Sequence, residues 1–151
     1  MNNDRDRTEH AYLFVYGSLL RSANGTLHPL LQAHAEFVAD AILPGELYEI
    51  AGYPGAVPMP GNSTPIVGEL YLIGDPEPLF RRLDDYEECS EAYPAPREYL
   101  RAQYPVSCAS GDSRLAWVYA YNRPTDSLQR IVSGDYRQYR LTNIIPSAAS
   151  M

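Results

Sequence analysis

The chain has 151 residues, 45% of them hydrophobic, which suits one globular domain with a substantial core. Its 19 acidic residues outnumber 12 basic ones, giving a formal net charge of −7, and every basic residue is Arg. Without Lys there is no Schiff-base amine, no Ser–Lys dyad and no P-loop lysine. The acidic balance argues against nucleic acid, because phosphate binding needs a basic face. No apolar run approaches the roughly 20 residues that cross a bilayer, so no membrane contact is expected either. Cys89 and Cys108 are too far apart for a metal-ligand spacing, and both read as reduced thiols of a cytoplasmic protein. His10, His28 and His34 read as structural or surface residues, and no metal is expected.

Residues 1–10 are polar and charged and read as a flexible leader before a single domain over 11–140; 141–151 read as a loose tail. The domain opens on Leu13-Phe14-Val15-Tyr16, an apolar run with the composition of a buried strand. It runs into Gly17-Ser18-Leu19, where a glycine permits a sharp turn and exposes consecutive N–H groups. Such amides suit a carboxylate or a developing oxyanion. Asn24-Gly25 marks a turn, and Leu27–His34 reads as a short helix. Ala35–Ile50 reads as extended, with a break at Pro44-Gly45. Ala51–Pro65 reads as a Gly/Pro-rich loop, long enough to be functional. Ile66–Ile73 is a strand.

Asp75–Glu88 carries helix signals: Asp75 as a cap, Pro76 in the first turn, and Glu77 at the positive end of the dipole. Arg81-Arg82 fits the solvated face of that helix. Arg97–Cys108 and Arg114–Asn122 read as a hairpin around Ser110-Gly111-Asp112. The second of these strands is apolar on both faces, Leu115, Trp117, Tyr119 and Tyr121 on one and Ala116, Val118 and Ala120 on the other, so it should be central. Asp126–Ser133 reads as a further short helix. The fold class expected from this order is α+β, a curved or closed mixed sheet with helices outside.

The 75–88 helix ends in Leu83-Asp84-Asp85-Tyr86-Glu87-Glu88, and its periodicity separates the acids. At about 100° per residue, Leu79, Phe80, Leu83 and Tyr86 define one buried stripe. Glu87 falls about 50° from its centre, Asp84 about 110°, and Asp85 and Glu88 about 150°. Glu87 is therefore the one acid aimed at the core. Desolvation holds its proton more tightly and poises it for acid–base work near neutral pH. The competing reading is a Glu paired with an arginine or reaching out at the helix end. A glycosidase pair is excluded for Glu87 and Glu88, which point apart; Asp135 is a more distant partner with no specific support. Ser18 lacks a nucleophile-elbow pattern and a placed histidine.

Taken together, Tyr16-Gly17-Ser18-Leu19, Gly52-Tyr53-Pro54-Gly55, Val67-Gly68-Glu69-Leu70-Tyr71, Leu83-Asp84-x-x-Glu87, Ala116-Trp117-Val118-Tyr119 and Ser133-Gly134-Asp135-Tyr136 resemble the γ-glutamylcyclotransferase-like family, especially its small AIG2-like members. The resemblance spans Phe14 to about Tyr136. It implies a small mixed β-barrel with short flanking helices and a cavity for a γ-glutamyl group. It implies Glu87 as the catalytic acid, Tyr16, Gly17, Ser18 and Leu19 as the substrate-holding loop, and Tyr119 as a tyrosine near the cavity, with Tyr121 on the same strand face. The chain departs from the family at Glu88, where Gly is usual, and at Tyr136, where Trp is common. The implied reaction cyclises a γ-glutamyl small molecule to 5-oxoproline and frees an amine, with no cofactor. The alternative is a non-catalytic binding protein for a small anion on the same fold. Oligomeric state and the identity of the amine are left open.

Overall fold

A computed structural model describes residues 11–62, 64–87 and 97–142. Strand β1 (Ala11–Val15) lies between two partners. It runs antiparallel to β4 (Pro65–Ile73), from Ala11 opposite Ile73 to Val15 opposite Glu69, and parallel to β6 (Ser113–Tyr121) at Leu13 and Trp117. On its other side β4 pairs antiparallel with the first part of β2 (Ala35–Glu49), with a bulge between Phe37 and Ala39. Strand β5 (Tyr99–Cys108) joins β6 as the expected hairpin, and reaches β2 through Ala41 with Cys108 and Ile42 with Ser107. The circuit β1–β4–β2–β5–β6–β1 closes into a mixed five-stranded barrel. Closure leaves those strands no open edge.

Period-2 alternation divides the apolar residues between two cores. Phe14, Leu43, Ile66, Leu70, Ala116 and Val118 fill the barrel. Leu13, Val15, Tyr71, Ile73, Tyr99 and Tyr119 face the other way and pack under the helices. Strand β6 is central, as its two apolar faces predict, although Leu115 at its start remains 55% exposed.

Helix α1 (Pro29–Gln32) is the shorter form of the expected 27–34 helix; His28 caps it, its Nδ1 accepting from Leu30 N–H at 3.1 Å. Helix α2 (Pro76–Tyr86) matches the predicted one within two residues. Its Leu79, Phe80 and Leu83 are buried, each aliphatic side chain contributing about 1.5–3 kcal/mol through burial. Two details differ from expectation. Asp75 makes no side-chain cap bond, and Tyr86 is 45% exposed because its hydroxyl reaches Ser18 Oγ, 2.9 Å away, rather than the core. Arg81 and Arg82 are solvated, as read.

Three segments read differently from their sequence. Pro44-Gly45 does not break β2; there the strand exchanges β4 for β3 (Pro54–Pro58), and a Cβ at Gly45 would lie 2.3 Å from the Val57 carbonyl oxygen. The Ala51–Pro65 loop therefore contains a strand. Residues 126–133 form no helix: Gln129–Arg130 make a two-residue strand β7 on Tyr48 and Glu49, which buries Ile131. The chain then forms helix α3 over 136–142, reaching into the expected loose tail. Asp135 starts it, its Oδ1 accepting from Gln138 N–H at 3.1 Å. The expected leader 1–10, Cys89 and the tail from 143 lie outside the described residues; Cys108 is a buried free thiol.

The turn that follows β1 is fixed from two sides. Glu69 on β4 is 1% exposed, and its carboxylate accepts from Arg21 N–H at 3.0 Å, Arg21 Nε at 3.1 Å, Tyr71 Oη at 3.0 Å and Arg137 at 3.3 Å. Burial by itself would raise the Glu69 carboxyl, but the Arg21 amide, the Arg21 guanidinium and the Tyr71 hydroxyl outweigh it and hold it below the usual range. Arg21 is also stacked on Phe37, 3.8 Å from the ring centre. On the other side, Gly17 lies against the Pro54 ring, where a Cβ would come within 2.6 Å of Pro54 Cγ.

Two outcomes follow. Glu69→Ala should cost about 2–3 kcal/mol in denaturant unfolding, somewhat below a fully buried pair because Arg21 and Arg137 keep solvent contact. The folded-state Glu69 value is depressed, so its contribution is present above the unfolded carboxyl range and is lost as pH falls through the folded value; the Ala variant should therefore lose part of the wild type's acid sensitivity. Gly17→Ala forces its methyl onto Pro54 and should cost about 1–3 kcal/mol, measured the same way.

Candidate active site

The end of β1, the C-terminus of α2 and the start of β5 converge on one cavity of about 370 Å³. Its inner wall is aromatic: Phe14, Tyr16, Tyr99 and Tyr119, all buried. Gly17, Ser18 and Leu19 form one side, Tyr53 and Pro54 another, and Val15, Tyr86, Glu87 and Glu98 complete the lining among the described residues. All six residues named from sequence, Tyr16, Gly17, Ser18, Leu19, Glu87 and Tyr119, thus share one hollow.

Each is placed by a local cause. Tyr16 donates its hydroxyl to the Tyr119 carbonyl at 2.6 Å and accepts from Ala56 N–H at 3.3 Å, which ties the turn to β6 and β3. Complete burial, then the nearby Glu87 carboxylate, push the Tyr16 phenol far above its ordinary value, so it stays neutral. The turn closes through Leu20 N–H to the Gly17 carbonyl at 3.0 Å. That bond employs only the Leu20 amide, so the amides of Gly17, Ser18 and Leu19 take no part in closing the turn.

Glu87 caps α2 at its C-terminus, its N–H donating to the Leu83 carbonyl at 2.8 Å. The docking of Leu79, Phe80 and Leu83 sets the helix rotation and turns this side chain into the cavity, while Asp85 is exposed. Desolvation, then repulsion from Glu98, raise the Glu87 carboxyl from 4.5 to about 7. A carboxyl at that value exchanges protons in either direction near neutral pH.

Tyr119 contributes its ring to the cavity and its hydroxyl elsewhere: it donates to Asp84 Oδ1 at 2.7 Å. Asp84 also receives Arg101 through both carboxylate oxygens, at 2.9 and 3.1 Å, and Arg101 stacks over Phe80 and Trp117. Asp84, outside the buried stripe by periodicity, is accordingly half-buried and anchors α2 to β5 and β6. Tyr121 packs edge-on against Tyr99 and does not line the cavity. Asp135, the distant carboxylate considered from sequence, serves the start of α3, and Tyr136 donates to the Gly52 carbonyl at 2.9 Å.

Sequence reasoning missed Tyr53, Pro54, Tyr86, Glu98 and Tyr99 as cavity residues. Tyr53-Pro54 lay inside the Gly-Tyr-Pro-Gly segment that carried the resemblance and was the available signal. Glu98 follows a stretch with no alignable motif and left none. Among the described residues, no group of three or more His, Cys, Asp or Glu is arranged to hold a metal. No described helix is long and apolar enough to cross a membrane.

Comparison with known proteins agrees with the fold. Residues 13–138 match the family described as Gamma-glutamyl cyclotransferase, AIG2-like. The Gamma-glutamylcyclotransferase family protein YtfP of Escherichia coli K12 is 34% identical over 125 residues, covering 82% of this chain and 94% of the relative. A Gamma-L-glutamyl-butirosin B gamma-glutamyl cyclotransferase of Niallia circulans is 32% identical over 133 residues, covering 85% and 77%. Among solved structures, the mouse AIG2-like protein superposes with a TM-score of 0.57 at 28% identity over 77% of this chain and 81% of that one. YkqA of Bacillus subtilis gives a TM-score of 0.65 at 25% identity, covering 89% of this chain and 42% of the larger one. With a barrel of this topology and a match across most of its length, the chain belongs to the Gamma-glutamyl cyclotransferase, AIG2-like family.

Proposed function

We propose that this protein cyclises a γ-glutamyl compound, releasing 5-oxoproline and a free amine or amino acid, with Glu87 as the catalytic acid–base. The observation that carries the reading is the shared cavity: an inward carboxyl at about 7 facing a turn whose Gly17, Ser18 and Leu19 amides have no hydrogen-bond partner among the described residues. The Niallia circulans relative, named as a γ-glutamyl cyclotransferase, supports the reaction class.

The substrate's α-amine attacks its own γ-carbonyl carbon. A C–N bond forms, the original amide C–N bond breaks, and a five-membered lactam results. Nucleophile and electrophile belong to one molecule, so folding it into an attack geometry supplies up to roughly 7–11 kcal/mol in favourable intramolecular cases. Glu87 relays to the leaving nitrogen the two protons that the α-ammonium sheds on becoming the lactam N–H, so the amine departs as an ammonium and the carboxyl ends as it began. Amides of Gly17, Ser18 and Leu19 hold the α-carboxylate or the tetrahedral oxyanion, a contribution on the order of 10²–10³-fold for one donor. The rings of Tyr16, Tyr99 and Tyr119 exclude water from the reacting end.

Incubation with a panel of γ-glutamyl amines, assayed for 5-oxoproline, tests the reading. Product from at least one supports it; tight binding without product from any favours a binding module. Glu87→Gln should keep the fold and lower turnover about 10²–10⁴-fold, while Asp85→Asn on the solvated face should change it little. Activity should rise with pH through about 7 as the carboxylate forms. Stability should move oppositely. The folded-state value lies above the unfolded one, so the fold holds an extra proton between 4.5 and about 7 and loses stability as pH rises across that window. Thermal unfolding of Glu87→Gln should lack that loss.

A further inference from the structure

The reading above leaves the amine unspecified, and the mouth of the cavity bears on it. The buried end is lined by Tyr16, Tyr99 and Tyr119, whereas Ser18, Tyr53 and Tyr86 are exposed and mark the opening. A γ-glutamyl group drawn in toward Glu87 leaves its amine substituent pointing outward past Tyr53. Glu98 stands there. Its Oε2 accepts the Tyr53 hydroxyl at 2.7 Å and meets Arg123 Nη1 at 4.0 Å, the limit of an ion pair. Among the described residues, only this oxygen of Glu98 is engaged, which leaves Oε1 as an acceptor. Arg123 is half exposed, and among the described residues no arginine lines the cavity. The chain has no Lys to supply another cation. An ammonium at this place meets a carboxylate of low exposure, a second carboxylate deeper in the cavity, and the faces of two tyrosines. An anionic substituent meets repulsion from both acids.

Resting on the proposed cyclisation, we infer that Glu98, oriented by Tyr53, selects γ-glutamyl compounds whose leaving amine carries a second, positively charged amino group. Arg123 competes with that group for Glu98 and weakens the selection.

The test compares two amides of equal length, γ-glutamyl-cadaverine and γ-glutamyl-hexylamine, which differ by an ammonium in place of a methyl. The cadaverine amide should be favoured by about 10-fold or more in kcat/KM, the scale of one charge-assisted hydrogen bond. Glu98→Gln can still accept from Tyr53 but lacks the charge, and should bring the two substrates close to equal. Arg123→Gln should widen the preference, a gain that general damage to the fold would not produce. Equal use of the two amides by the wild type, or an unchanged preference in Glu98→Gln, overturns the inference while leaving the cyclisation standing. If neither amide yields 5-oxoproline, the cyclisation reading fails for them and calorimetric binding of the same two amides decides. Selective binding of the cadaverine amide, lost in Glu98→Gln, upholds the role of Glu98; equal binding, or none, overturns it.

Discussion

The rotational setting of helix α2 is the constraint on which the rest of the site depends. Leu79, Phe80 and Leu83 dock on the outer face of the barrel, and Asp84 ties the same helix to Arg101 and Tyr119. These contacts leave Glu87, one turn past Leu83, with the cavity as its direction. A rotation by one residue, about 100°, would send the carboxyl to solvent and bring Tyr86 round instead. The direction of this carboxyl thus rests on apolar packing further back along the helix. Burial of the side chain then follows from the tyrosine wall, and the raised proton affinity follows from burial.

The opposing side of the cavity is built differently. Its turn buries Leu19 under the helices and is held besides by polar and steric contacts. Glu69 clamps Arg21 from inside, Tyr16 bonds to the main chain of β6 and β3, and Gly17 makes room for Pro54. A buried carboxylate as well paired as Glu69 trades its desolvation cost against four donors. The result fixes the turn that carries the Gly17, Ser18 and Leu19 amides beside the cavity. That suits a chain in which all cations are arginines, of which Arg21 and Arg101 are committed to structural pairs.

Much of this was legible in the sequence, and the reasons are specific. Strong periodicity identified β1, β4, the β5–β6 hairpin and α2, because each element's pattern agrees with its burial. Glu87 emerged from helical spacing alone. What escaped depended on partners distant in the chain. Strand β3 is a Gly/Pro segment made extended by pairing with β2, and β7 is two residues held on the same strand. Tyr86 fits an apolar stripe by position but spends its hydroxyl at the cavity mouth. Glu69 sits in an ordinary-looking strand, and only Arg21, 48 residues earlier, explains its burial. Glu98 gave no local signal, since its meaning comes from Tyr53 and Glu87 across the hollow.

A direct titration of the Glu87 side-chain carboxyl by carbon-13 NMR, first without and then with ligand, probes the central claim. A midpoint near 7, shifting when 5-oxoproline or a γ-glutamyl amide is added, is the result this account predicts. A midpoint at the ordinary 4.5, unmoved by either compound, would mean that the carboxyl is solvated and outside the binding cavity, and would contradict it.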